Sequence, residues 1–361
     1  MKITLKNTPE QVELVKAMAS RNRDVAYEAQ TALAEFIGPV LSEVINQAPA
    51  LSNLFTTLQY NADDNPSIPL DLYFDVADED YIQVFSQSRA GGLPTSEVLP
   101  TSSELKIATY SLDSAVSFDR RYAAKSRMDV VAKTMTRVAQ EILLKQNTIS
   151  ANVVLSALAN ASTGGTSHLL SSAAANKFTL ADLNAMLTKS KRIVTSFAGG
   201  TPDARQGKGI TDIIVSPEIV ENLRAIAYNP LSTGVPNAAV IAEDAYKAAG
   251  APQFYGINVI ELNEMGVSQK FNSLFTAAAA SITPAHGSTA FVDADDELVL
   301  GIDRTRESLI RPVAVDAENG GEFNLIADDQ YSIRQNKIGY FGSLEEGRVV
   351  LDNRALVGVV V

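Results

Sequence analysis

Two runs of alternating apolar and polar residues, divided by a polar stretch with adjacent glycines, constrain this chain more than any other feature of its sequence. In "IPLDLYFDV", Ile68 to Val76, the residues Leu70, Leu72, Phe74 and Val76 alternate with Asp71, Tyr73 and Asp75, the period of a strand with one apolar face. "DYIQVFSQ" continues the pattern, and "ELKIATYSLDSAVSF" resumes it with Leu105 and Ile107 on one face. Between them lies "QSRAGGLPTSEVLPTSSELK", Gln87 to Lys106, which is too polar to bury much. The region reads as a long two-stranded excursion with a Gly91-Gly92 loop at its tip. A lone two-stranded ribbon is marginal in water and needs a surface to pack against. Ordering so polar a loop costs conformational entropy with little burial in return. The missing surface is the first sign of an assembly.

The other segments carry familiar signals. Thr8 can cap the free amides of a helix, Pro9 suits its first position, and Gln11 can return a bond to the cap. Helical composition continues from Val12 to Ile37, where Gly38-Pro39 is expected to interrupt it before a second short helix through "VLSEVINQAP". The strongest helix spans Met128 to Leu158, with Val131, Met135, Val138, Ile142, Ile149 and Val153 on one side and Lys133, Arg137, Glu141 and Lys145 on the other. A loop marked by Gly164-Gly165 follows, then a helix in "TLADLNAMLTKSKRIV" that Thr179 caps, with Asp182 three residues on. The breaker-rich "AGGTPDARQGKG", Ala198 to Gly209, is the expected domain boundary. Beyond it, "ITDIIVSPEIVENLRAI" reads as a strand turning into a helix, with Ser216 as cap, Pro217 first, and Ile219, Val220, Leu223 and Ile226 on one face. "YGINVIEL", "TAFVDADDELVLGI" and "ESLIRPVAV" read as strands, and the last thirty or so residues alternate strand and turn. The class is α+β, with no internal repeat.

Composition removes several chemistries. With no cysteine, disulfides, thiolate zinc sites and cysteine nucleophiles are excluded, and a reducing compartment suits the chain. The start "MKITLKNTPEQ" has no apolar run of signal-peptide length, and no segment offers the twenty or so apolar residues a bilayer crossing needs, so no membrane partner is expected. A formal charge of −12 opposes tight binding to nucleic acid, though it suits a surface that faces packaged DNA without gripping it.

No catalytic, cofactor or metal residue emerges. His168 in "GGTSH" and His286 in "PAHG" sit far apart in loops and read as exposed imidazoles, not as members of a triad. Asp293 to Glu297, "DADDE", begins like a calcium loop, but Leu298 stands where the turning glycine belongs, so it reads as a solvated turn between two strands. "RQGKG" fails as a phosphate loop, because Pro202 replaces the first glycine and Gly209 follows Lys208. Arg120-Arg121, Lys125 and Arg127 form a basic cluster that could meet a partner's carboxylates, although such a run is more often a solvated face.

In its order of helical arm, two-stranded loop, spine helix, breaker-rich junction, strand-turn-helix and strand-rich end, the chain resembles the major capsid proteins of tailed bacteriophages, the HK97-like family. "AVSFDRRYAAKSRMDVVAKTMTRVAQEILLKQNTISANVVLSAL" looks like the lead-in and spine of a peripheral domain, and "DIIVSPEIVENLRAI" with "YGINVIEL" like the core of an axial domain. "NKIGYFGSLEEGRVVLDNRALVGVVV" looks like the closing segment. The likeness covers nearly the whole chain and lies in arrangement, not in an invariant motif.

The resemblance implies an HK97-like fold with an arm at 1–58, an extended loop at 59–112, a peripheral domain at 113–205 with its spine at 128–158, an axial domain at 206–326, and a return through 327–361. It implies that the loop reaches across a neighbouring subunit, with Arg89, Gly91, Gly92, Leu93 and Pro94 at the contact. It further implies hexamers and pentamers closing into an icosahedral shell around double-stranded DNA held without sequence-specific binding. The location implied is the virion, after assembly in the host bacterial cytoplasm, with no enzymatic activity and no cofactor. Scaffolding, portal and decoration proteins are the further partners. Some family members weld the shell through a loop lysine and an asparagine. Asn61 to Leu105 holds no lysine, so that route is not expected here even with Asn353 available. The chain begins directly with the arm, without a long charged leader, so a separate scaffold is expected. Two alternatives are an encapsulin nanocompartment, which resembles the same fold, and an enzyme that uses carboxylates near Asp293 to bind a metal.

Overall fold

A computed structural model describes residues 8–47, 51–61, 66–69, 104–163, 166–172, 177–195, 209–228, 253–254, 256–279, 291–315, 322–328 and 335–361. The loop-tip residues Arg89, Gly91, Gly92, Leu93 and Pro94, His286, and residues 205–208 of "RQGKG" lie outside these. The helices are α1 (Pro9–Met18), α2 (Arg23–Gln47), α3 (Arg120–Ala124), α4 (Met128–Ala159), α5 (Leu180–Thr195), α6 (Pro217–Tyr228) and α7 (Lys270–Ala279). The strands begin with β1 (Thr56–Asn61), β2 (Ser67–Pro69), β3 (Glu104–Lys106), β4 (Thr109–Asp119), β5 (Ser162–Thr163), β6 (Thr166–Ser167), β7 (Leu169–Ser171) and β8 (Asp212–Val215). They continue with β9 (Gln253–Phe254), β10 (Ile257–Glu261), β11 (Leu298–Ile302), β12 (Leu309–Val315), β13 (Asn324–Asp328), β14 (Lys337–Gly347), β15 (Val349–Val350) and β16 (Leu356–Val360). Two compact units result, one of Met1–Pro66, Ile107–Ser150 and Ile310–Arg348, the other of Ser67–Lys106, Ala151–Leu309 and Val349–Val361.

In the first unit, Thr8 Oγ1 accepts the Gln11 amide at 3.4 Å and starts α1. The return bond is not made, for Gln11 Oε1 is shielded from solvent without a partner. The arm breaks earlier than expected. Ser20 N bonds to Ala17 O, and Asn22 restarts the helix by accepting the Asp24 amide on its side chain. Gly38-Pro39, expected to interrupt the helix, lies inside the continuous α2. A proline there costs about 3 kcal/mol. Leu33, Ile37, Leu41 and Ile45 are buried on both sides of it in one core, and each contributes about 1.5–3 kcal/mol, which outweighs that cost. Gly38 has room for a methyl group, the nearest atom to a built Cβ being Leu325 Cβ at 3.9 Å. Gly38→Ala is therefore expected to stabilise the protein by about 0.5–1 kcal/mol, read as a higher urea midpoint at unchanged slope.

In the sheet of this unit, β1 runs parallel to β12, and β14 is antiparallel to β4 from Lys337↔Asp119 to Gly347↔Thr109. The other side of β14 takes β13 along Gly339–Ser343 and β12 at Glu346. The pleat turns Leu112 and Phe118 of β4 and Ile338, Tyr340 and Leu344 of β14 toward Val15, Met18, Ile37, Met135 and Ile142 of α1, α2 and α4. The alternate phase faces water, with Ile326 and Phe341 cross-strand neighbours and both exposed. α4 follows its expected stripe through the buried Val131, Met135, Val138 and Ile142, but Ile149 and Val153 are half-buried and Val154, Leu155 and Leu158 are the buried residues there.

The second unit holds a sheet ordered β7-β16-β11-β8-β10-β9. Every residue of β8, β11 and β16 is buried, which is why "IIV" after Asp212, "LVLGI" and "LVGVV" are unbroken apolar runs and do not alternate. Leu183, Met186 and Ile193 of α5 and Ile219 and Leu223 of α6 share a core with Ile213, Val215, Val299, Val357 and Val359. Ser216 Oγ accepts the Ile219 amide at 3.2 Å, and Asp182 and Thr179 cap α5 reciprocally. The breaker-rich stretch after α5 is therefore not a boundary between cores, because α5 before it and β8 beyond it bury their apolar residues together. The strand expected over "TAFVDADDELVLGI" begins only at Leu298, and 293–295 form a turn.

Candidate functional site

The ribbon begins as an antiparallel pair, with Ser67 opposite Lys106, Ile68 opposite Leu105 and Pro69 opposite Glu104. Its foot is tied by the Ile107 amide donating to Pro66 O at 3.0 Å. Ile68 and Ile107 are buried, which fixes the phase of the pair at its foot. Residues 70–103, with the expected contact residues, lie outside the described chain.

Just beyond Ile107, β4 is anchored by a buried charge cluster of the first unit. Glu346 is fully buried, and its Oε2 accepts from Arg311 Nε at 2.6 Å, Gln146 Nε2 at 3.0 Å and Arg348 Nη2 at 3.2 Å. Its Oε1 accepts from Tyr110 Oη at 2.8 Å and Arg348 Nη2 at 3.0 Å. Arg348 also donates to Ser52 O at 3.4 Å and lies over the Phe55 ring, 5.2 Å from its centroid. One carboxylate thus joins α4, β4, β12, β14 and the turn at Leu51–Leu54. Burial alone would raise the Glu346 carboxyl. The Arg348 and Arg311 guanidiniums and the bonds from Arg311 and Tyr110 outweigh it and hold the group below the usual range. Burial, and then the Glu346 charge, push the Tyr110 phenol upward, so it stays a donor.

Sequence reading missed this cluster, although a signal was there. In "KIGYFGSLEEGRVV", Glu346 falls in phase with Ile338, Tyr340 and Leu344, a charge at an apolar position, and Arg311 shares the phase of the buried Val313. The basic cluster before α4 divides. Arg120 donates to Ala19 O through Nε and Nη2 at 3.3 and 3.1 Å and closes the end of α1. Arg121 stands exposed, 3.5 Å from Asp119, and Lys125 and Arg127 are also exposed.

His168 corrects the expectation of an exposed imidazole. It is fully buried beside β16 in the second unit, and its Nδ1 lies 3.2 Å from Asn353 O and 3.1 Å from Leu356 O. Both neighbours are carbonyls, so Nδ1 carries the proton. The Ser/Gly-rich surroundings suggested a surface loop, but the His168 backbone joins sheet pairing, accepting from Gly358 and donating to Ala161 O. Burial lowers the His168 pKa against the raising effect of those carbonyls. The neutral ring therefore contributes stability above about pH 6.5, and that contribution is lost as pH falls from there through the folded value. Between pH 7.5 and 5.5 the wild type is expected to lose stability with a slope of up to about 1.4 kcal/mol per pH unit from this group. His168→Gln, compared by urea unfolding at each pH, is expected to flatten that slope.

The Asp293–Glu297 turn uses its carboxylates as internal acceptors. Asp296 Oδ2 takes the Val292 amide at 2.8 Å, Asp293 Oδ2 takes Ser273 Oγ at 2.8 Å, and Glu297 Oε2 takes Ser216 Oγ at 3.0 Å. Among the described residues no group of three or more His, Asp or Glu is placed to hold a metal ion. Asn353 opens a short turn, Asn353–Ala355, and its carbonyl faces His168. Among the described residues no helix is long and apolar enough to cross a membrane.

No protein-family model matches the chain. No curated protein matches it in sequence. Its structure is similar to the capsid of a native GTA particle, at 10% identity over 86% of this chain and 89% of that one, with a TM-score of 0.51. It is also similar to the mature capsid of bacteriophage PhiM1, at 10% identity over 86% of each chain, with a TM-score of 0.50. The holo-SrpI encapsulin complex of Synechococcus elongatus PCC 7942 aligns at 12% identity over 86% of this chain and 85% of that one, with a TM-score of 0.42. With the first two the chain shares its fold over 86% of its length.

Proposed function

We infer, from the HK97-like capsid fold that this chain has, that it is the major capsid protein of a tailed bacteriophage. Many copies form hexamers and pentamers and close into an icosahedral shell that encloses double-stranded DNA. The observation that carries the reading is the likeness to two capsid proteins over 86% of the chain, which takes in both compact units. The paired foot of the ribbon supports it, since a ribbon starting at Ser67 and Lys106 needs a surface that a neighbouring copy supplies. On this reading Arg89, Gly91, Gly92, Leu93 and Pro94 lie at the inter-subunit contact. The protein resides in the virion after assembly in the host cytoplasm, and scaffolding, portal and decoration proteins are its further partners. In the same terms, α1 and α2 form the arm, the spine helix α4 and β14 belong to the peripheral domain, and the β8-β10-β11-β16 sheet to the axial domain.

Electron microscopy of the recombinant protein after size-exclusion chromatography, with and without co-expressed neighbouring proteins, tests the reading. Shells, tubes or capsomer rings are expected, and DNA within shells would separate a virus from a cargo-holding compartment. A monodisperse monomer under every condition would overturn it.

A further inference from the structure

The outward side of α4 and the turn before it carry more cations than acids, and no described side chain pairs with those cations. Lys125, Arg127, Lys133, Arg137 and Lys145 are exposed, and among the described residues none makes an ion pair or a side-chain hydrogen bond. Lys133 and Arg137, one turn apart, lie on the side away from Val131, Met135, Val138 and Ile142, and Lys145, two turns on, is exposed at the flank of that side. Lys133 and Arg137 are about 6 Å apart along the axis, and Lys145 is about 12 Å beyond Arg137. The joint before the helix is tight, with Arg127 N donating to Tyr122 O at 2.9 Å and Ser126 at φ 51, which places Lys125 and Arg127 at its head. Asp129 and Glu141 are the acids on this side, and Glu141 bonds to neither flanking cation. Five cations against these two acids leave this side net positive on a chain whose formal charge is −12.

We propose that this face docks the phosphate backbone of double-stranded DNA without reading its sequence. Its charge is complementary to a polyanion, and phosphate contacts need flexible cations but no apolar core. The alternative occupant, a carboxylate-bearing segment of a second copy, would call for an apolar centre. On this side Asp129, Gln140 and Glu141 fill the spaces, with Leu144 the apolar exception. The choice of DNA among polyanions rests on the capsid reading. The negative charge of the rest of the chain makes the contact weak and steeply dependent on salt.

The test is fluorescence anisotropy of a labelled duplex of about 30 base pairs with the full chain, at concentrations where size-exclusion chromatography shows it unassembled. With about three phosphates neutralised, affinity is expected to fall roughly 40-fold between 50 and 200 mM salt. The variant Lys133→Glu/Arg137→Glu/Lys145→Glu is expected to lose binding. Lys177→Glu/Lys191→Glu/Arg224→Glu, the same change of charge placed in the second unit, is expected to keep it; circular dichroism checks that both fold. No binding by the wild type at 50 mM salt, or equal loss in both variants, would overturn the proposal. So would a face variant that still binds DNA but no longer forms shells, which would assign the face to a second copy. Failure of the wild type to assemble, with DNA binding still confined to this face, would sink the capsid reading alone.

Discussion

Replacing Glu346 by alanine is expected to lower the unfolding free energy by about 3–5 kcal/mol, because it leaves two buried guanidiniums without their shared anion. Arg311 and Arg348 have side chains 5% and 0% exposed and converge on that one carboxylate, so water cannot readily replace it. The loss should appear as a lower urea midpoint at unchanged slope. A loss below about 1 kcal/mol would mean that the cavity admits water and the guanidiniums are solvated where they stand. Replacing Arg311, Glu346 and Arg348 together by apolar residues of similar volume should cost far less than E346A alone, since the desolvation of all three charges disappears with them. The pH dependence has a definite sign. Glu346 sits below its ordinary pKa in the fold, so its contribution is complete above about pH 4.5 and is lost as pH falls through the folded value. That window opens at a lower pH than the one in which His168 acts, so the two variants should first depart from the wild type at different points of one stability profile.

Deleting Arg89 to Thr95 is expected to leave the subunit folded and to impair assembly. The segment is polar and glycine-rich, so removing it should change the unfolding free energy by no more than about 0.5 kcal/mol, as for other surface changes. In a closed shell every subunit would lose the same contact, and the yield of shells should fall by more than about tenfold, because a lost 1.4 kcal/mol per contact is already a factor of ten. Chromatography with electron microscopy reads the yield, and urea unfolding reads the fold. Shells at normal yield would count against placing the loop tip at a subunit contact. A large fall in the unfolding midpoint would show that the loop serves its own subunit.

Local, strongly periodic features are legible in the amino-acid order alone. The stripe of α4, the caps at Thr8, Thr179 and Ser216, and the antiparallel foot of the ribbon follow from patterns of short period and from caps within one turn. Their order along the chain suffices for the HK97-like resemblance, because arrangement survives where identity has fallen to 10%. Expectation and fold diverge where distant residues decide. Gly38-Pro39 reads as a break because propensity is local, whereas the burial that carries α2 through it involves Leu325 and the sheet. His168 reads as exposed because its neighbours are small and polar, but its environment is made by Asn353, Leu356 and Gly358.

The sequence by itself determined the amphipathic stripe at the start of α4, the caps of α1, α5 and α6 and the pairing at the ribbon's foot, since those depend on periods of two and 3.6 residues and on caps within one turn. It also determined that cysteine chemistry is absent. Only the tertiary structure decided that Glu346 gathers Arg311, Arg348, Tyr110 and Gln146 from separate elements, and that α5 and β8 share one core across the breaker-rich stretch. The physical reason is that burial and charge pairing depend on which distant segments meet, a quantity that no local pattern encodes.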